Sequence, residues 1–188
     1  MKFGTFLIGA LVAALLQTAA LGKIVWDRVS LINNGAEVVL KSEMVDPRDL
    51  FRGYYVTLNL SVGEVTDKSV EVVGTPATGS PVFIELKKGE DEYWVANRLY
   101  AEYPATAEGP VIKGELLSDW PVTGETGKRY VIRFPFDRFF APAERARKLE
   151  DVRRDRNLGV VLAVGEGGEA AIKGISVAGE MIYDEKLF

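Results

Sequence analysis

The sequence predicts a mainly β protein: an N-terminal transmembrane helix, then one antiparallel β-rich domain, sandwich or barrel-like, with a short surface helix. Three observations carry that expectation. Phe3 to Gly22 is a run of 20 residues without a charge, bounded by Lys2 and Lys23. From Glu37 onward, short apolar stretches are separated by Gly, Pro and Asn turn residues. One stretch, Pro142 to Arg156, breaks that pattern and reads as helix.

At about 1.5 Å per residue, the apolar run is long enough to span the roughly 30 Å hydrocarbon core of a bilayer. A soluble surface helix would be amphipathic, whereas this one is apolar on all faces apart from Thr5, Gln17, Thr18 and small residues. Trp26 follows where an interfacial aromatic sits. Lys23 to Leu31 contains no proline and is expected to continue the same helix, which Asn33-Asn34-Gly35 closes. The run exceeds the roughly 7–15 residues of a signal-peptide core. An uncleaved signal anchor is therefore preferred over a signal peptide cut after Ala20-Leu21-Gly22, which would release a secreted soluble binding domain. Residues 1–35 are expected to be the anchor and its extension. Residues 36–188 are expected to form a domain outside the cytoplasm, periplasmic in a bacterium, because a domain this long translocates regardless of its charges.

The expected strands are Glu37 to Met44, Gly53 to Val65, Pro81 to Leu86, Glu92 to Glu102, Val111 to Leu117, Arg129 to Phe134, Gly159 to Val164, Ala170 to Val177 and Met181 to Tyr183. Arg129 to Phe134 alternates, with Tyr130, Ile132 and Phe134 on one face. Gly165-Glu166-Gly167-Gly168 formally resembles a phosphate-binding loop. A dinucleotide site needs a helix to open there, and the next glycine comes too soon, so a hairpin turn is expected. Pro142 suits a first helical position, and Glu144 with Lys148 and Glu150 with Arg154 are i,i+4 pairs. Arg133 to Arg156 holds eight basic and five acidic residues, read as a solvated helix laced by ion pairs, with Phe134, Phe136, Phe139 and Phe140 in the core.

Composition narrows the chemistry. The chain has 188 residues, 23 Lys+Arg against 27 Asp+Glu, a net charge of -4, and neither cysteine nor histidine. Disulfides, thiolate nucleophiles, Cys/His zinc sites and Ser-His-Asp triads are excluded. The acidic balance argues against nucleic acid. Glu90-Asp91-Glu92 and Asp184-Glu185 read as solvated turns rather than a hydrolytic pair or a calcium loop. No catalytic, cofactor-binding or metal-binding residue is expected, and the chain is read as a binding protein rather than an enzyme. The opposing class is a signal-peptidase-like Ser/Lys hydrolase, with Ser42 activated by Lys87 or Lys88, which needs no histidine. The Ser-Met-x-Pro arrangement of those enzymes is missing here.

The most informative stretch runs from Asp46 to Leu60. Asp46-Pro47 begins a turn, Gly53 lets the chain enter a strand at an unusual angle, and Arg48 and Arg52 project together if 48–52 is helical. Asp46, Pro47, Arg48, Leu50, Arg52, Gly53, Tyr55, Val56 and Leu58 resemble the signature of the GDYXXLXY domain family of small membrane-anchored proteins, D-P-R-x-L-x-R-G-D-Y-V-x-L-x-Y. Tyr54 stands where the family has Asp, and Leu60 where it has its final Tyr. The layout is also similar: an apolar start, a Val-Phe-Ile-Glu-Leu strand at Val82 to Leu86, a Gly-Lys-Arg-Tyr strand, and Arg138-Phe139-Phe140-Ala141-Pro142 before a charged helix. The resemblance implies association with a polytopic membrane protein. The expected interaction residues are Asp46, Pro47, Arg48, Arg52, Gly53, Tyr55 and Leu58, with the two arginines offering bidentate pairing to a carboxylate or phosphate; the alternative is that Asp46, Arg48 and Arg52 bond within the domain and fix the turn into the strand.

Overall fold

A computed structural model describes residues 2–45, 55–122, 127–136, 138–140, 158–177 and 179–184. Helix α1 runs unbroken from Lys2 to Asn34, 33 residues, or about 50 Å. The expected extension through Leu31 is present, and the helix closes at the expected Asn-Gly. The Gly35 amide donates to the Leu31 carbonyl at 2.9 Å, completing the last turn.

Among the described residues twelve strands follow: β1 (Ala36–Val45), β2 (Tyr55–Leu60), β3 (Glu64–Thr66), β4 (Glu71–Val73), β5 (Pro81–Lys88), β6 (Trp94–Tyr100), β7 (Val111–Pro121), β8 (Lys128–Arg133), β9 (Arg138–Phe140), β10 (Leu158–Val164), β11 (Ala170–Val177) and β12 (Glu180–Asp184). They form one sheet in the order β12-β11-β10-β1-β6-β5-β7-β8-β3, with β2 also on β1, β9 on β2, and β4 beside β6. The β1–β6 and β4–β6 contacts are parallel, and the other pairings are antiparallel. The sheet curls on itself: the Lys113 amide of β7 donates to the carbonyl of Gly168, in the β10–β11 turn, at 2.8 Å. One core results, joining Val38 and Leu40 of β1, Ile84 of β5, Leu116 of β7 and Leu162 of β10.

The alternation expected in β8 is observed, with Tyr130, Ile132 and Phe134 buried. Phe134 stacks on Phe136 in the core, ring centroids 5.2 Å apart. The Gly165–Gly168 segment is a hairpin turn, closed by Gly165 N–H to Glu169 O at 2.8 Å, with Gly168 at φ +87°.

The expected single strand from Gly53 to Val65 is instead interrupted. β2 ends at Leu60, a 3-10 turn spans Ser61–Gly63, and β3 pairs with β8. The cause is parity. Leu58, Leu60 and Val62 share one face of a period-two strand, whereas Val65 belongs to the other. The turn shifts the phase, so all four reach the core. β4 and β9 were not anticipated, being too short to show a period. β7 runs on to Pro121 through an irregularity between Leu116 and Ser118. The helix expected at Pro142 to Arg156 lies outside the described residues.

β10 is buried along its whole length, as a continuous apolar run implies. Val160, Leu162 and Val164 face the core. Gly159, Val161 and Ala163 face the opposite way, and the end of α1 lies against β10 and β11, with Ile32 2% exposed. The Tyr93 ring crosses Gly159: a Cβ there would meet Tyr93 Cε1 at 3.2 Å and Val39 Cγ1 at 2.8 Å.

Candidate functional site at the helix–sheet junction

Of the signature residues, Asp46, Pro47, Arg48, Arg52 and Gly53 lie outside the described residues. Tyr55 and Leu58 lie on β2, which is held between β1 and β9, with Tyr55 opposite Phe140. Leu58 and Leu60 are buried, so this end of the segment is supported from inside the core. Ser42 is 2% exposed, and its hydroxyl donates to the Asn59 carbonyl at 3.3 Å, stapling β1 to β2. Lys87 and Lys88 are exposed at the end of β5, and the Lys88 amine lies 6.0 Å over the Trp94 ring.

A buried charge cluster was not foreseen. Glu85 is fully buried on β5, opposite Arg98 of β6. Its Oε2 accepts from the Tyr100 hydroxyl at 2.8 Å and from Arg98 at 3.5 Å. Its Oε1 accepts from the Glu108 amide at 2.9 Å. Burial acts to raise its pKa, but the Tyr100 hydroxyl, the Glu108 amide and the Arg98 guanidinium outweigh burial and hold it below the ordinary value. Burial, then Glu85, raise the Tyr100 pKa. Arg98 also pairs with Glu71 at 2.9 Å, the main cause of its own raised pKa. The signal in the sequence was a glutamate inside an apolar strand, whose meaning depended on Arg98 and Tyr100 two residues apart on the facing strand.

The Glu85 cluster fixes a loop. Besides the Glu108 bond, the Leu86 amide donates to the Pro110 carbonyl at 2.8 Å. Between them, a Cβ on Gly109 would sit 2.1 Å from the Leu86 carbonyl oxygen, so only glycine permits the approach. The loop carries Tyr103, whose ring meets Phe83 edge-on at 5.4 Å and whose hydroxyl donates to the Glu166 carbonyl. Loop and hairpin turn are thereby joined.

Together they form one wall of a cleft of about 780 Å³. Its other wall is the end of α1, where Asp27, Ser30, Leu31 and Asn34 line up at helical spacing, with Trp26 at the edge, 74% exposed. Gly35 sets the geometry: a Cβ there would meet the Leu31 carbonyl at 2.6 Å and the Val164 backbone at 3.0 Å. Helix and sheet are in direct backbone contact. Tyr93, on the reverse face of the sheet, is buried with its hydroxyl lacking a hydrogen-bond partner among the described residues. Burial, followed by the nearby Glu92 and Asp91 carboxylates, raises its pKa.

A long apolar helix running directly into a curled, mainly antiparallel sheet, with a cleft at the joint, defines a helix-bearing β protein. More particularly, the chain belongs to the GDYXXLXY protein family, whose model matches residues 17–175. No curated protein and no solved structure matches the chain.

Proposed function

We propose that the protein is a membrane-anchored, non-enzymatic accessory domain that holds a polytopic membrane protein, with the β domain outside the cytoplasm. The observation that carries this reading is the helix. α1 is long and apolar enough to cross a membrane, and its candidate span has none of its most apolar window buried within the chain. Phe6 is 72% exposed and Leu16 67%. A row of uncovered apolar side chains this long is costly in water at about 25 cal/mol per Å² and is stable in lipid. Washing membranes with alkaline carbonate should leave the chain in the pellet with its N-terminal segment intact. Recovery in the supernatant with an N-terminus near Lys23 would replace the anchor with the cleaved form.

A partner in the same membrane meets the domain at a raised effective concentration. The Asp46–Leu60 segment, with Arg48 and Arg52, is the proposed contact, supported by the resemblance of its residues to the family signature. Arg48→Glu with Arg52→Glu should abolish crosslinking to membrane partners while shifting the thermal midpoint by less than about 2 °C. A fall of many degrees, with partners lost only on unfolding, would make the two arginines structural. The non-enzymatic reading is supported by the composition, which holds neither cysteine nor histidine, and by the hydrogen bond that occupies the Ser42 hydroxyl proton.

A further inference from the structure

We propose that the cleft between the end of α1 and the 102–110 loop receives a lysine- or arginine-bearing segment of another membrane-embedded protein. The proposal rests on the membrane reading of α1 and names a second contact for the same partner.

Position is the first argument. Lys23 is the first charge after the apolar run, and Trp26 at the cleft edge comes three residues later, about 4.5 Å along the helix axis. The cleft mouth therefore lies at headgroup level, where the ends of a neighbour's transmembrane helices emerge. The helix end meets the sheet here, because Gly35 packs against the Val164 backbone of β10.

Charge is the second argument. The charged residues that line the cleft are Asp27 on the helix side and Glu166 on the far wall, with no Lys or Arg among the lining residues. Glu108 is answered by Arg98 at 3.5 Å, and Asp27 on the helix side by Lys23. No ion pair among the described residues engages Glu166, the acid on the far wall. Such a mouth repels an anionic phosphate and attracts a cation. A phospholipid presents its phosphate at this depth, so a basic peptide segment complements the cleft better than a lipid does. Size agrees: about 780 Å³ lies within the roughly 300–1,000 Å³ of ordinary ligand-binding clefts.

The test uses the full chain in native membranes. A photoreactive benzoylphenylalanine replaces Ala107, which is exposed and lines the cleft. A control carries it at Trp120, which is also exposed but lies at the far end of β7. Light should give a protein adduct from position 107 and not from 120. Mass spectrometry should place the link beside a lysine or arginine flanking a transmembrane segment. Glu166→Lys should lower the adduct yield about tenfold, as expected when like charges face each other, and raised salt should lower it in the wild type. The Glu166 side chain has no partner among the described residues, so the thermal midpoint should not move. A lipid adduct, no adduct, or a protein adduct indifferent to Glu166→Lys would overturn the proposal. Release of the wild-type chain by carbonate would instead overturn the membrane reading, so the two failures are distinguishable.

Discussion

Glu85→Ala is expected to lower the unfolding free energy by about 3–5 kcal/mol, the cost of breaking a buried charge pair and stranding its donors. In a chain of this size the thermal midpoint should fall by roughly 6–20 °C. The lower end applies if Arg98 compensates, since its side chain is 32% exposed and keeps Glu71. Two donors lose their acceptor at once, the Tyr100 hydroxyl and the Glu108 amide, and Arg98 Nη1 loses Glu85 while keeping the Glu108 carboxylate. Glu85→Gln keeps the volume and one acceptor oxygen for the Glu108 amide but turns an N–H₂ group toward Arg98, so about half the loss is expected. Thermal unfolding of the full chain in detergent, followed by circular dichroism, measures both. A midpoint unchanged in Glu85→Ala would mean that water replaces the carboxylate and that the cluster contributes nothing net.

The same residue sets an acid limit. Its native pKa lies below the ordinary 4.5, so the native state favours the ionised form. The contribution is present above the ordinary carboxylate range and is lost as pH falls through the lowered native value. Wild type should therefore lose stability below about pH 4.5 more steeply than Glu85→Gln. Loss of the Glu108 bond also frees the loop that walls the cleft, so Glu85→Ala should weaken the Glu166-dependent crosslink without touching the cleft lining, whereas Glu85→Gln, which keeps that bond, should weaken it less.

What the sequence made legible was what a local period can encode. The helix could be followed to Asn34 because no proline interrupts Lys23 to Leu31. The β10–β11 hairpin was legible because two apolar runs flank a Gly-rich turn. The break after Leu60 was not, because it depends on which face Val65 must present to a core assembled from distant strands. Glu85 stayed hidden for the same reason: an acid in an apolar strand means nothing until Arg98, Tyr100 and the Glu108 amide, 13 to 23 residues away, are placed around it. The cleft is farther still from local patterning, since its walls come from residues near 30, 105 and 166. The signature arginines are the reverse case. They drew attention by resemblance, and their surroundings lie outside the described residues.

Gly35→Val is expected to separate helix orientation from domain folding. Any Cβ there meets the Leu31 carbonyl at 2.6 Å and the Val164 amide and carbonyl at 3.0 Å, and all are backbone atoms that cannot rotate aside. The chain must break either the Gly35-to-Leu31 bond that closes α1 or the Ala36–Val164 pairing that starts β1 on β10. Overpacking of this kind costs about 3 kcal/mol. The main core is reached from Val38 onward, so the sheet should stay folded while the joint loosens. Hydrogen exchange of the full chain in detergent should show faster exchange at 31–36 and unchanged protection in β5 and β7. Gly22→Ala is the matched control: nothing lies within 4 Å of its Cβ, and alanine in a helix is worth about 0.5–1 kcal/mol more than glycine. Exchange at 31–36 should not rise in that variant. If Gly35→Val leaves the joint protected, helix and sheet are not held by backbone contact. If it loosens the joint, the crosslink from position 107 should fall with it, because a cleft with one swinging wall no longer presents Glu166 at a fixed height above the bilayer.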